Sequence, residues 1–402
     1  MKKILLGIMI IFSFILVVSC SGEDETTAYE YAPEVATVAV HRANTIYLDD
    51  NNKVFIKGEN LYGQLGDGSF EDSETFIEIT DNFNLAESEF IKSVSLGEYH
   101  GAALTNTGRV FTWGHNSYGK LGVLPNGDEN MPVDITDNFA LEAEDKIAFL
   151  TLGRDNGAVI SQNGEVFTWG VNAYGQLGNG VSLNPWEETD HEASNITENF
   201  NLEANEQIIK VAIGNNHGIA LSNNGRVFTW GSNESGQLGI DIEDARLLPE
   251  DITDEFDLSD DETIIDIDLG YEHSGVLTDL GSVYVFGDNV WGQLGLGTEI
   301  LEKNTPEEIT ANITTEETIL RINFDHNSSA VVTEENVYVF GFNNSGQLGK
   351  GDYTTAYNPI SLDLDFINDA NVTNYLIAKE LSVLITENGD LYLNEDNTWE
   401  LQ

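Results

Sequence analysis

Short runs of β-branched and aromatic residues recur along most of the chain, each closed by glycine or asparagine, and residues 208–253 show the pattern best. IIKVAIG at 208–214 is one run, HGIALS at 217–222 a second and RVFTWG at 226–231 a third. Asn224-Gly225, between the second and third, supplies the positive φ that a tight hairpin requires. After SNESGQLG a weaker fourth strand is predicted around 249–253, PEDIT. The second and third runs lack polar alternation, which predicts strands covered on both faces, as in a blade packed between two neighbours.

The third run and the turn after it form a block, GRVFTWGSNESGQLG at 225–239, that recurs from end to end. Near copies stand at 108–122 (GRVFTWGHNSYGKLG) and 164–178 (GEVFTWGVNAYGQLG), weaker ones at 54–66, 281–295 and 337–349, and a stub, GDLYLNEDN, starts at Gly389. The closing glycines Gly66, Gly122, Gly178, Gly239, Gly295 and Gly349 lie 56, 56, 61, 56 and 54 residues apart. A fixed period of that length predicts stacked supersecondary units, none of which buries its apolar faces alone. One closed array then uses the whole length, so a single domain is expected despite the 402 residues.

GEYHGAALTNTGRVFTWGHNSYGKLG from Gly97 and GNNHGIALSNNGRVFTWGSNESGQLG from Gly214 resemble the regulator of chromosome condensation repeat. The resemblance implies an all-β fold, a seven-bladed β-propeller of four-stranded antiparallel blades, over residues 35–402. The seven units are 35–80, 90–136, 146–197, 207–253, 263–310, 317–362 and 371–401. The family's best-known member exchanges guanine nucleotide on a nuclear GTPase and binds chromatin, and another is a secreted inhibitor that clamps a β-lactamase with loops of one rim. Departures sit at the ends: the tryptophan position holds Trp113, Trp169 and Trp230, then Phe286 and Phe340, but Lys57 in the first unit and Asn394 in the last. The seventh unit also lacks the Gly-Gln-Leu-Gly turn, so its outer strand comes either from residues 398–401 or from the segment before Val35, and the seam between units seven and one is expected to be weak.

Within the block, Trp113, Trp169 and Trp230 are read as structural, filling the space between blades. His100, His217 and His273 precede the second strand, with Asn44, Asn156 and Asn327 in the same place elsewhere, and Leu381 in the last unit. A structural hydrogen bond that asparagine also satisfies is expected there, since ring symmetry keeps these residues too far apart for a metal.

Charge then changes the picture. Seventeen basic residues stand against 69 acidic ones, a net charge of −52. Nucleic acid is excluded as a partner, because phosphate contacts need cations. Much of the acid lies in connectors such as DNFNLAESE from Asp81, ENFNLEANE from Glu198 and DEFDLSDDE from Asp254, where F-x-L between acids predicts an apolar anchor under a charged, solubilising loop. No EF-hand loop, phosphate loop, metal cluster or nucleophile elbow stands out, so no cofactor is expected.

Meander topology puts the loops joining strands one to two and three to four on one rim. Tyr62, Tyr118, Tyr174 and Trp291 precede the Gly-x-Leu turns, and Tyr99 and Tyr271 fall in the other loop, which makes a candidate aromatic recognition rim. At the N-terminus, Lys2 and Lys3 precede an apolar run at 4–18 that ends in Ser19-Cys20, the chain's single cysteine. Val17-Val18-Ser19-Cys20 resembles the lipobox of bacterial lipoproteins, which implies a signal peptide over 1–19, lipidation of Cys20 and an acidic tether over 20–34. The expected protein is a monomeric, surface-exposed lipoprotein on the extracytoplasmic membrane face, or on the outer membrane of a diderm. It binds an unknown protein without catalysis. Carbohydrate binding is the alternative, an extracellular enzyme ranks lower, and nucleotide exchange is not carried over.

Overall fold

The computed structural model describes residues 38–402 apart from 125–126, 183–192, 243, 314–316, 368–369 and 396. The signal peptide, Cys20 and the tether read from the sequence lie outside the described residues. Seven four-stranded antiparallel sheets follow one another in chain order, each made of consecutive strands. They occupy 38–78, 91–134, 147–195, 208–251, 264–308, 319–361 and 372–401. In the fourth blade the strands are Ile208–Ile213, His217–Ser222, Val227–Gly231 and Arg246–Asp251. The second and third are buried along their whole length, as their unbroken apolar sequence demands. The outer strand is shifted earlier than PEDIT suggested: it starts at Arg246 and stops at Asp251, because Thr253 already belongs to a 3₁₀ turn, Thr253–Glu255.

That turn explains the acidic connectors. Thr80, Thr136, Thr197, Thr253 and Thr310 each accept, on Oγ1, the N–H that opens the third strand of the blade just completed, at 2.9 Å. Phe83, Phe139, Phe200 and Phe256 then drop beneath the loop into the interior. Phe200 meets Phe228 and Trp230 of the next blade edge-on, at 5.3 and 5.8 Å between ring centres. Each connector is therefore a charged loop pinned by one aromatic anchor.

The seam between blades is built around the repeated tryptophan. Trp230 has no exposed surface, and its indole N–H donates to the Gln176 carbonyl of the preceding blade at 2.8 Å. A Cβ on Gly218 would lie 2.4 Å from that ring, and one on Gly178, where φ is +67°, would lie 3.1 Å away. Trp113 and Trp169 make the same bond, to Gln64 and Lys120. Where phenylalanine replaces tryptophan, the partner changes with it. Phe286 and Phe340 have no N–H, and serine stands where Gly218 stood: Ser274 and Ser329 donate to the carbonyls of Gln237 and Gln293, at 2.8 and 2.7 Å. The smaller ring leaves room for a hydroxyl, which satisfies the carbonyl instead.

The histidines follow the same logic. His217 and His273 reach the hydroxyls of Ser274 and Ser329 in the next blade, both at 2.9 Å. Because each serine hydrogen goes to the glutamine carbonyl, its lone pairs are free for the histidine Nε2–H. Burial pushes both imidazoles down to about 3, so they are neutral. His100 is also buried, but the following blade has Gly157 where a serine would stand, and neither ring nitrogen has a hydrogen-bond partner among the described residues. The asparagines bond differently from the histidines: Asn44 and Asn156 turn back to the carbonyls of Glu59 and Val171 in their own blades. The sixth position is Ser328, which pairs with Gly341 as His273 pairs with Gly287; Asn327 lies one residue before it.

Residues Thr398–Leu401 form the outer strand of the seventh blade, which settles the alternative left open by the sequence. Trp399 on that strand occupies the slot beside Gly349, donating to its carbonyl at 3.1 Å, while Asn394, at the usual tryptophan position, donates to Gly346. The seventh blade has no turn to make such a slot for the first, and the first correspondingly carries Lys57, paired with Glu395 at 2.9 Å. Among the described residues, the apolar cluster at this closing seam has just four buried members, Ala378, Leu381, Val383 and Leu393, with Val38 and Val40 packed against them. Among the described residues, no strand is shared across it.

Candidate protein-binding rim

The residues between the inner and second strands converge on the axis of the ring. Arg42, Glu98, Arg154 and Asn215, from the first four blades, form a continuous hydrogen-bonded chain, with steps of 3.1, 2.6 and 2.8 Å. Arg42 also donates to the Tyr99 hydroxyl at 2.7 Å and lies 3.6 Å from Glu380 of the seventh blade. Arg154 stands over the Tyr271 ring at 5.6 Å, and Tyr271 packs on His326 at 3.8 Å. Burial alone would raise the Glu98 carboxyl, but hydrogen bonds from Arg154 and Arg42 outweigh it and hold the group below the usual carboxylate range. Burial lowers His41 to about 4, which leaves it neutral in this arginine-rich setting.

The six aromatic candidates fall into separate groups. Tyr62 and Tyr99 pack edge to face at 5.0 Å and both flank His115. Tyr271 belongs to the mouth itself. Trp291 is 40% exposed and rests on Phe342 at 5.0 Å, whereas Tyr174 is exposed on its own loop. Tyr118 is half-buried within its turn at φ +64°. Trp113, Trp169 and Trp230 are wholly interior.

The aromatic motif pointed to this rim but missed most of its apolar surface. Exposed large apolar side chains crowd the loops between third and fourth strands: Leu61 and Phe70 in the first blade, Leu124 in the second, Tyr174 and Val181 in the third. Ile242, then Val290, Trp291 and Leu301, then Tyr353 continue the series. In the loops of the opposite rim, among the described residues, just Phe90 and Leu280 are comparably exposed. Those loops carry the acidic connectors instead, with Asp81, Asp137, Glu198 and Asp254 exposed. Both rims carry carboxylates, but exposed large apolar side chains are concentrated on the first.

The architecture is a single-chain propeller whose blades are joined without strand exchange and whose distinguishing surface is one loop rim. Residues 20–393 match the RCC1-like domain, and the chain belongs to that family. It is 30% identical over 254 residues to the Arabidopsis thaliana ultraviolet-B receptor UVR8, covering 63% of this chain and 53% of that protein. It is 31% identical over 272 residues to the human probable E3 ubiquitin-protein ligase HERC6, covering 67% of this chain and 25% of that protein. The chain thus spans about half, or less, of the length of these curated relatives. Among solved structures, human WBSCR16 aligns with a TM-score of 0.72 at 23% identity, covering 88% of this chain and 86% of that one. Yeast RCC1 (Prp20), solved bound to Kap60, aligns at 0.70 and 20% identity, covering 86% and 79%. At those identities the structural likeness concerns the fold alone.

Proposed function

We propose that this chain is a surface-exposed bacterial lipoprotein whose propeller binds a partner protein through the rim of loops between third and fourth strands, without catalysis. The contrast between the two rims carries the reading: a band of exposed apolar and aromatic side chains on one, and few such side chains among the acidic connectors of the other. Aromatic anchors dominate the energetics of protein interfaces, and exposed apolar patches mark where they form. The similarity to yeast RCC1, a protein solved in complex with Kap60, agrees with a binding role. At the mouth the Glu98 carboxylate is committed to two arginines, which favours a structural over an acid–base role.

The test is capture of partners by the full-length protein in membranes, using chemical cross-linking. Replacing Tyr174 and Trp291 together with alanine is expected to reduce cross-linked partner by about tenfold or more while leaving the melting temperature unchanged. Unchanged capture removes the reading. The exposed Trp291 and Tyr174 rings also suit stacking on sugars, so binding on a glycan array that the same double substitution abolishes would favour carbohydrate as the ligand.

The anchor rests on the residues from Lys2 to Cys20. Cys20→Ala is expected to shift the protein from the membrane to the soluble fraction and to eliminate the lipid-modified N-terminal peptide from mass spectra. Retention of the variant in membranes would count against lipidation.

A further inference from the structure

A hollow of about 460 Å³ opens on the binding rim beside the first blade, between its loop at 59–72 and Tyr99 of the second. We infer that it is a docking site for an extended segment of a partner protein in which a large apolar side chain is flanked by lysine or arginine. This inference rests on the rim-binding reading and narrows it to one place and one partner chemistry.

Three observations converge on the hollow. Leu61 and Phe70 border it with 69% and 52% of their surfaces exposed, two large apolar side chains on a single loop. One wall is rigid, because Tyr62 and Tyr99 brace each other and Arg42 ties the Tyr99 hydroxyl to the mouth network. Preorganised aromatic surface of this kind binds without a large ordering cost. The volume lies in the range of about 300–1,000 Å³ typical of ligand clefts.

Charge selects the occupant. Arg42 is the cation of the hollow, but Glu98, Tyr99 and Glu380 already engage it. Glu71 and Asp72 stand exposed at the edge, and no cation pairs with either among the described residues. Glu59, 3.8 Å from the Arg42 Nε, adds a third carboxylate that is 43% exposed. The unspent charge at the opening is therefore negative, on a chain of net charge −52. An acidic segment would be repelled, and a purely apolar one would leave these carboxylates unanswered; a basic, apolar segment satisfies both walls.

Fluorescence anisotropy on the full chain, with three labelled peptides, tests this. One carries a Lys-Leu-Phe-Lys core, one Glu-Leu-Phe-Glu and one Lys-Gly-Gly-Lys. The first is expected to bind at least about tenfold more tightly than either of the others, and to weaken as salt is raised. Phe70→Ser and Glu71→Lys, both at exposed positions, are each expected to weaken it by about tenfold at an unchanged melting temperature. The Tyr174 and Trp291 double variant should bind it as the wild type does. Equal binding of the three peptides, no binding of any, or wild-type binding by both Phe70→Ser and Glu71→Lys overturns the site. If that happens while the double variant still loses its cross-linked partner, the rim reading stands and the hollow alone falls.

Discussion

Trp230→Ala is expected to lower the unfolding free energy by about 3–5 kcal/mol, read from the urea midpoint of the full chain. The indole is fully buried in the seam between the third and fourth blades, among Ile196, Phe200, Val211 and Ala220. Its removal leaves a cavity bounded by Gly178 and Gly218, two residues with no side chain to move in. It also leaves the buried Gln176 carbonyl without its donor, a loss that alone costs about 1–3 kcal/mol. Trp291→Ala is the control: a partly exposed ring at the rim, whose loss should leave the midpoint nearly unchanged. Equal midpoints for Trp230→Ala and the wild type would contradict the seam geometry.

Asp325→Asn is expected to stabilise the fold at pH 8 and to have little effect at pH 4. Asp325 ends the inner strand of the sixth blade, where four other blades have glycine, at Gly97, Gly153, Gly214 and Gly270. Its Oδ2 is buried without a hydrogen-bond partner among the described residues. Burial raises its carboxyl to about 8 despite the hydrogen bond from the His326 N–H, and weaker repulsion from Asp268 and Glu98 adds to the rise. Asp268, on the neighbouring blade, is raised to about 7 for the same first reason, with Lys210 opposing it. The sign follows from proton binding. Between about pH 4 and pH 8 the folded state holds a proton at Asp325 that the unfolded chain has released, so wild-type stability falls as pH rises through that window and then levels. Asparagine has no such window, and the gain at pH 8 should be on the order of 2 kcal/mol, less than the full shift because the amide that replaces the carboxyl inherits the same unpartnered buried position. Parallel stability curves for variant and wild type from pH 4 to pH 8 would rule this out.

The blade count, the buried second and third strands and the tryptophan seams were legible in the sequence, because each depends on a local block that repeats. Ser328 was misplaced by one residue for a physical reason. The sixth inner strand, Ile319–Asp325, is one residue longer than those of blades two to five, and Asp325 replaces the usual glycine where the small Ser328 leaves space for a Cβ. Trp399 was invisible as a seam residue, since it fills from the outer strand a slot that other blades fill from the third. The mouth network escaped for the opposite reason to the one that revealed the fold. Arg42, Glu98, Arg154, Asn215, Tyr271 and His326 share a position in blades one to six, and arginine alone recurs among them. A site made by variation at one place in a repeat leaves no repeated signal. Likewise, Leu61 stands at a position of the block that changes from copy to copy and Phe70 lies beyond its closing glycine, so only the loop conformation reveals that both face solvent.

The closing seam sets how the molecule responds to force. The polypeptide upstream of Val38 feeds directly into the innermost strand of the first blade, Val38–His41, which lies in the junction with the least apolar packing and no interlocking strand. A pull applied from the N-terminal side would load first the Lys57–Glu395 and Arg42–Glu380 contacts and a few aliphatic side chains, ahead of the six aromatic-filled junctions. Under shear the first wedge would peel away before the rest of the disc yields, a mechanical fuse placed where the chain enters the fold.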